Sequence, residues 1–279
     1  MRAVVTVPQG TLVQTERING VIYQLATLTD VTISSDQASA LIAVQATGTG
    51  GAYNLASGYY RILPVAVSGI ERVENEEEWL TLPGADEESD DELRDRARNQ
   101  FNLVSSFHTD AVYRNLIAGV VGMSTDRIFF THNAPRGPGT ANAWLLLDTG
   151  VASQPFIDAV NHYITTQGHG DDMRCFAMPE TLHDVAVTIY VKNPNNIGAE
   201  EQAVLLSGVE NLIRCAFREN RDFDVKKTRP WSRFSFSNLG REIHRTFPMI
   251  DSLRFSAEDI VSELNVPRLS SLRVGIDHD

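Results

Sequence analysis

Lysine is scarce in this chain, with three residues against 21 arginines, and cysteine is scarcer, with only Cys175 and Cys215. The two cysteines lie far apart and form no C-x-x-C pair, so both are read as packed free thiols in preference to a single disulfide between them. Long apolar runs are also missing. Stretches such as Ala143–Leu147 fall far short of the roughly 20 residues a membrane span needs. The opening M-R-A-V-V-T-V-P-Q-G carries no sustained apolar core and no small-residue cleavage site, so no secretory signal is read and assembly in the cytoplasm is expected. Neither H-E-x-x-H nor G-x-S-x-G occurs, which removes the zincin and nucleophile-elbow signatures.

Glycine is present but not at cofactor spacing. In T-G-T-G-G-A-Y-N, a dinucleotide fingerprint begun at Gly48 would require a third glycine where Tyr53 stands, and the Gly-Lys-Ser/Thr of a Walker loop is absent. A tight turn requiring positive φ is the better reading. Asp86, Glu88 and Asp90 fall at alternate positions as in a calcium loop, yet Asp91 holds the place of the turn glycine and Ala97 that of the closing glutamate. No metal and no cofactor is predicted. The best catalytic candidate is His169 with Asp171 and Asp172 in Q-G-H-G-D-D-M, since these types ligate metals and move protons. Flexible turns gather the same residues without function, and no catalytic residue is assigned.

Charge is concentrated rather than spread. The net charge is −12, and Glu71–Arg96 holds twelve acids and three arginines, a net of −9. Such a balance argues against wrapping duplex DNA, whose affinity comes mainly from neutralised phosphates. The arginine bias suits a protein with large interfaces, because the planar guanidinium makes paired, partly desolvated contacts.

Within the acidic stretch, P-G-A-D-E-E-S-D-D-E-L-R-D-R-A-R-N-Q reads as a boundary followed by a helix. Ser89 and Glu92 form a capping box, acids crowd the positive end of the dipole, and Asp90–Arg94 and Glu92–Arg96 are i,i+4 pairs. Leu93, Ala97, Phe101 and Val104 form one apolar stripe, which is expected to be buried.

Read in order, residues 1–82 are β-rich, with short alternating segments at Val5–Val7, Thr11–Val13, Val21–Tyr23, Ala40–Ala46 and Val65–Val73 that predict a small roll or barrel. An acidic-capped linking helix occupies 83–108. Residues 109–193 predict an α+β unit: a helix capped by Thr109, strands Asp126–His132 and Trp144–Asp148, a helix begun by Ser153 and Pro155 with Phe156, Val160 and Ile164 inward, and a strand Asp184–Lys192. Residues 194–279 predict a second such unit, with helices about 199–220 and from a Ser237 cap, then strands Ser252–Phe255 and Leu269–Ile276. The fold class expected is α+β, a β-rich roll or barrel followed by two small α+β sandwiches. Between the last two helices, K-K-T-R-P-W-S-R-F-S-F offers Arg229, Trp231, Arg233 and Phe234 as an anchor for a protein partner, a reading preferred to single-stranded nucleic acid because the chain is acidic.

Two ordered blocks carry a resemblance. Gly84, Asp86, Glu88, Ser89, Asp90, Glu92, Leu93, Arg94 and Arg96 resemble the signature of the baseplate J-like family, wedge proteins of contractile phage tails and related injection machines. Upstream, Ala46, Gly48, Gly51, Asn54, Ala56 and Gly58, then Gly69, Val73 and Asn75, resemble its Gly-rich segment. The segments P-R-G-P-G-T, P-E-T-L-H-D-V-A-V and N-V-P-R-L-S-S-L-R-V are similar more weakly. The chain departs from the family in starting almost inside the β-rich part, where members carry a longer, partly helical segment. The resemblance implies a structural subunit without chemistry that joins neighbouring wedges into a ring around a hub and rearranges on contraction. Its partners would be other wedge and hub proteins and further copies of itself, with no nucleic acid or membrane, in the virion tail baseplate. The competing expectations are a host-surface or glycan-binding tail module and a metal-dependent hydrolase at His169.

Overall fold

In a computed structural model, residues 4–91, 93–94, 97, 109–121, 123–167, 172–192 and 197–277 are described. Glu92, Arg96, Phe101, Val104, Gly168, His169 and Asp171, on which several expectations fall, lie outside them. The chain divides into two compact units, Met1–Ala177 and Met178–Asp279. The architecture is α+β throughout. No described helix is long and apolar enough to cross a membrane.

The first unit opens with five short strands: β1 (Val5–Val7), β2 (Leu12–Gln14), β3 (Gln24–Thr27), β4 (Val31–Ile33) and β5 (Val44–Ala46). β1 pairs with β4, and β2-β3-β5 form an antiparallel sheet. Among the described residues these are two small sheets, not one closed barrel. Their core is Ile18, Tyr23, Leu25, Leu55 and Tyr60. The expected strand at Val65–Val73 does not form, because the chain turns there: Ile70 donates to the Val67 carbonyl at 3.1 Å, and Gly69 takes φ 88°. Val21–Tyr23 is likewise no strand. Val21 only bridges back to Ile18, while Tyr23 turns into the core.

The rest of this unit packs α1 (Asp110–Val121) and α2 (Gln154–Thr166) on a sheet of β6 (Ile128–Thr131), β7 (Ala141–Leu145) and β8 (Met173–Ala177). α2 starts as its sequence dictates. The Ser153 hydroxyl accepts from Phe156 N at 3.4 Å, Pro155 sits in the first turn, and Phe156, Ile157, Val160 and Ile164 are buried. The hairpin β6–β7 is antiparallel as anticipated, but β7 begins three residues before Trp144. β8 was not anticipated. It runs parallel to β7 across the α2 crossover, with Met173 and Cys175 inward.

β9 (Glu180–Val191), the strand with the clearest alternation, lies in the second unit. Val185, Val187, Ile189 and Val191 are buried, and β9 is the middle strand between β11 (Ile250–Phe255), antiparallel, and β13 (Val266–Asp277), parallel. A domain boundary at 193 would sever it from both neighbours. α3 (Ala199–Ala216) and α4 (Phe236–Thr246) cover one face of this sheet through Leu205, Val209, Leu212, Leu239 and Ile243. β10 (Arg233–Phe234) and β12 (Ile260–Val261) form a separate antiparallel ribbon. α4 begins at Phe236 rather than after Ser237, and Asp259 from a neighbouring loop accepts from Phe236 N at 3.1 Å, the work a capping side chain would do. Arg268, 7% exposed, is held by Glu180 at 2.6 Å and by the carbonyl of Arg218 at 2.9 Å, joining the starts of β9 and β13 to the end of α3.

Ile189 is fully buried at the middle of this sheet. Ile189→Ala should therefore lower the stability of the second unit by about 2–5 kcal/mol, read from denaturant unfolding; a loss under about 1 kcal/mol would contradict the packing described.

Candidate functional site

The two blocks singled out in the sequence meet in space. Gly50 adopts φ 104° and leads into the short 3-10 turn Gly51–Tyr53. The Gly51 N–H points at the Asp86 carboxylate, 2.7 Å away. Three positions on, the Asn54 amide closes a reciprocal pair with Gly84: its nitrogen donates to the Gly84 carbonyl at 2.7 Å, and its oxygen accepts from the Gly84 N–H at 2.8 Å. The backbones pass so closely that a Cβ on Gly84 would stand 2.4 Å from the Gly50 carbonyl oxygen. Gly50, Gly51, Asn54, Gly84 and Asp86 therefore form one clasp.

Asn75 secures the same segment from the other side. It accepts from Tyr60 N at 3.0 Å, donates to the Ala56 carbonyl at 2.9 Å, and takes the Gly58 N–H on its own carbonyl at 2.9 Å. Trp79 donates to the Leu55 carbonyl at 3.0 Å and meets the Tyr60 ring edge-on at 5.3 Å, while the Tyr60 hydroxyl donates to the Tyr53 carbonyl at 2.9 Å. Gly48 lies under the Tyr53 hydroxyl. The clasp decides the chemistry of the glycine-rich turn. An anion would need the Gly51 N–H, and the chain's own carboxylate already occupies it.

Beyond the clasp the chain turns helical at Asp90, Asp91, Leu93, Arg94 and Ala97, and Leu93 N donates to the Ser89 carbonyl at 2.8 Å. Arg94 meets Asp91 at 2.7 Å, at i−3 rather than the anticipated i−4. Both partners are largely exposed, so the pair contributes at most about 1 kcal/mol. Glu88 and Ser89 are exposed as well. Leu93, expected in a buried stripe, stays 45% exposed.

The basic and aromatic loop divides by side. Arg229, Trp231 and Arg233 are exposed. Phe234, expected beside them, is a core residue at 4% exposure, packed on Phe217 and Phe236 with ring centres 5.1 and 5.6 Å away. The reason is the two-residue period of a strand: in the β10–β12 ribbon Phe234 sits opposite Ile260, facing inward, and Arg233 sits opposite Val261, facing outward. Val261, 67% exposed, belongs to the outward face and carried no signal in the sequence beyond being apolar.

Of the catalytic candidates, only Asp172 is described. Its carboxylate accepts from the Tyr113 hydroxyl at 2.7 Å at the edge of a cavity of about 300 Å³, which Asp110 and His132 also line, 3.1 Å from each other. Burial first, and the bond to Asp172 second, push the Tyr113 hydroxyl above the usual tyrosine range, so it serves as a donor and not as a base. Among the described residues no three His, Cys, Asp or Glu are grouped to hold a metal ion. Cys175 and Cys215 are free and buried, and burial pushes the Cys175 thiol up to about 12.

Residues 2–81 match the family described as the Baseplate J-like protein barrel domain. A protein of Haemophilus phage HP1 (strain HP1c1), gp29, provisionally described as a baseplate protein, is 49% identical over 244 residues, covering 86% of this chain and 62% of that protein. The chain thus spans less than two thirds of that relative's length. A chain in the cryo-EM structure of the anti-feeding prophage (AFP) baseplate, 6-fold symmetrised, aligns over 97% of this chain and 74% of its own at 11% identity and TM-score 0.39, a likeness too low to bear on function.

Two outcomes follow from the geometry. Asp86→Ala should cost about 1–3 kcal/mol, the loss of a charge-assisted bond to a part-buried N–H, and Gly84→Ala should cost more because its collision is with backbone; denaturant unfolding ranks them, and equal stability of either variant to the parent would refute the clasp. In an ultraviolet pH titration Tyr60 and Tyr113, both raised chiefly by burial, should ionise above the ordinary value near ~10, and the stability they contribute should be present below that pH and lost as it rises further.

Proposed function

We propose that this chain, whose residues 2–81 match the Baseplate J-like protein barrel domain, is a structural wedge subunit of a contractile phage-tail baseplate. The observation that carries this is the family match together with the 49% identity to the HP1 protein. In this reading it joins neighbouring wedges into a ring around the hub and rearranges on contraction. It acts through its surfaces and performs no reaction. Its partners are other wedge and hub proteins and further copies of itself, and it resides in the virion tail after assembly in the host cytoplasm.

The geometry supports that role in two ways. The family-motif residues Gly48, Gly51, Asn54, Gly58, Gly84 and Asp86 serve the fold, since those that meet are saturated by one another. Three separate cores let the parts keep their packing while the surfaces between proteins change. The acidic stretch, with Glu88 and Ser89 at a helix start and Leu93 and Arg94 exposed beyond it, is a docking surface, and the segment 83–108 links the β-rich part to the rest.

Coexpression with the adjacent tail genes, followed by native mass spectrometry, tests the proposal. The expected result is a stoichiometric complex holding more than one copy of this chain. A chain that remains monomeric beside every neighbouring tail protein, or that turns over a substrate, would overturn it.

A further inference from the structure

Trp231 is held in a conformation that bulky residues avoid. Its φ is 48°, in the left-handed region, and it is 53% exposed. Such a geometry is strained and persists only where its surroundings impose it. Here they do: Trp231 N donates to the Glu263 carbonyl at 2.7 Å, and the hydroxyls of Ser232 and Ser262 both donate to the Arg229 carbonyl at 2.7 Å. Beneath, Phe234 anchors the ribbon in the aromatic core. The strain holds an indole outward from a rigid base.

What surrounds the indole defines its complement. Arg233 and Val261 are direct cross-strand neighbours on the same outward face, with Arg229 two residues before Trp231. Lys226–Arg233 holds four cations and no acid, including two of the chain's three lysines. Asp259, 3.6 Å from Arg233, offsets part of that charge. An occupant must therefore offer carboxylates beside a small apolar contact. Glu71–Asp91 has that composition: ten acids against one arginine, Arg72, which is already paired with Glu74. Leu82, in the middle of the stretch, is 81% exposed.

We propose that the Trp231, Arg233 and Val261 face of the β10–β12 ribbon is an interaction surface that binds the acidic stretch Glu71–Asp91 of a second copy of this chain. It rests on the ring-forming reading above and names the surfaces that would make it. The two patches differ, so the contact is heterologous: each copy offers one patch to the copy before and the other to the copy after, which builds a ring when the rotation closes. The indole and Val261 cover Leu82, and the arginines meet the carboxylates, so the contact weakens as salt screens it.

Sedimentation of the purified full chain over a range of concentration and NaCl tests this. Self-association should be present at low salt and weakened at least tenfold by Trp231→Gly, a change that relieves the backbone and so leaves the melting temperature equal or higher. Arg229→Glu with Arg233→Glu, and separately Glu76→Lys, Glu77→Lys and Glu78→Lys, should each abolish it, while a mixture of the two reversed proteins should associate again. Association that ignores these changes, that fails to return in the mixture, or that is absent in the parent would overturn the inference. So would loss of single-stranded oligonucleotide binding in Trp231→Gly with self-association intact. A complex with neighbouring tail proteins that survives any of these outcomes leaves the proposed function standing, so the two fail separately.

Discussion

The hydrogen bond from the Gly51 N–H to the Asp86 carboxylate is the constraint on which the first part of the molecule depends. It closes a loop of 35 residues, and it succeeds only because glycine at positions 50 and 84 lets two stretches of main chain approach to a distance no side chain would permit. Ordering so much irregular chain is entropically expensive, and strands of three and four residues contribute little on their own. The return comes from polar groups that would otherwise lack partners in a chain turning away from regular structure: Asn54 satisfies both main-chain groups of Gly84, and Asn75 binds three main-chain groups between Ala56 and Tyr60. The run of glycine, asparagine and aspartate in these two stretches is thus explained by backbone geometry.

That account also shows where reading the sequence sufficed and where it did not. The strand at β9 and the face of α2 were legible because the buried positions repeat at the period of the element. Both motif blocks were legible as well, and spacing excluded the phosphate-loop signatures, but that the blocks touch was not, since nothing in a linear spacing names an aspartate 35 residues later as the partner of the turn. Phe234 was misplaced for a related reason. A run of alternating basic and aromatic residues looks like one exposed patch until the strand period sends every second side chain inward. β8 was missed because its five residues offer too short an alternation, and its pairing with β7 is fixed by the α2 crossover.

Electrostatics in the chain are asymmetric in kind as well as in amount. Buried cations such as Arg268 are satisfied by several oxygens and stabilise the fold, while Arg233 of the β10–β12 ribbon stays exposed with Asp259 3.6 Å away. The acids follow the same rule: Glu180 and Asp86 are spent on the chain's own donors, whereas most of the acidic stretch remains in solvent. Exposed charge of this kind adds little to stability and instead sets solubility and which surfaces attract or repel one another.

The parallel pairing of β9 with β13 carries a consequence for biosynthesis. β9 is the spine of its sheet, yet one flank is supplied by residues reaching Asp277, translated after both helices. During translation the buried side of β9 can be covered early by α3, but its ladder stays half open until the final strand clears the ribosome. The second unit therefore closes its sheet only once β13 has been made, and a nascent chain stalled before Val266 would display an unsatisfied strand edge open to capture by other chains.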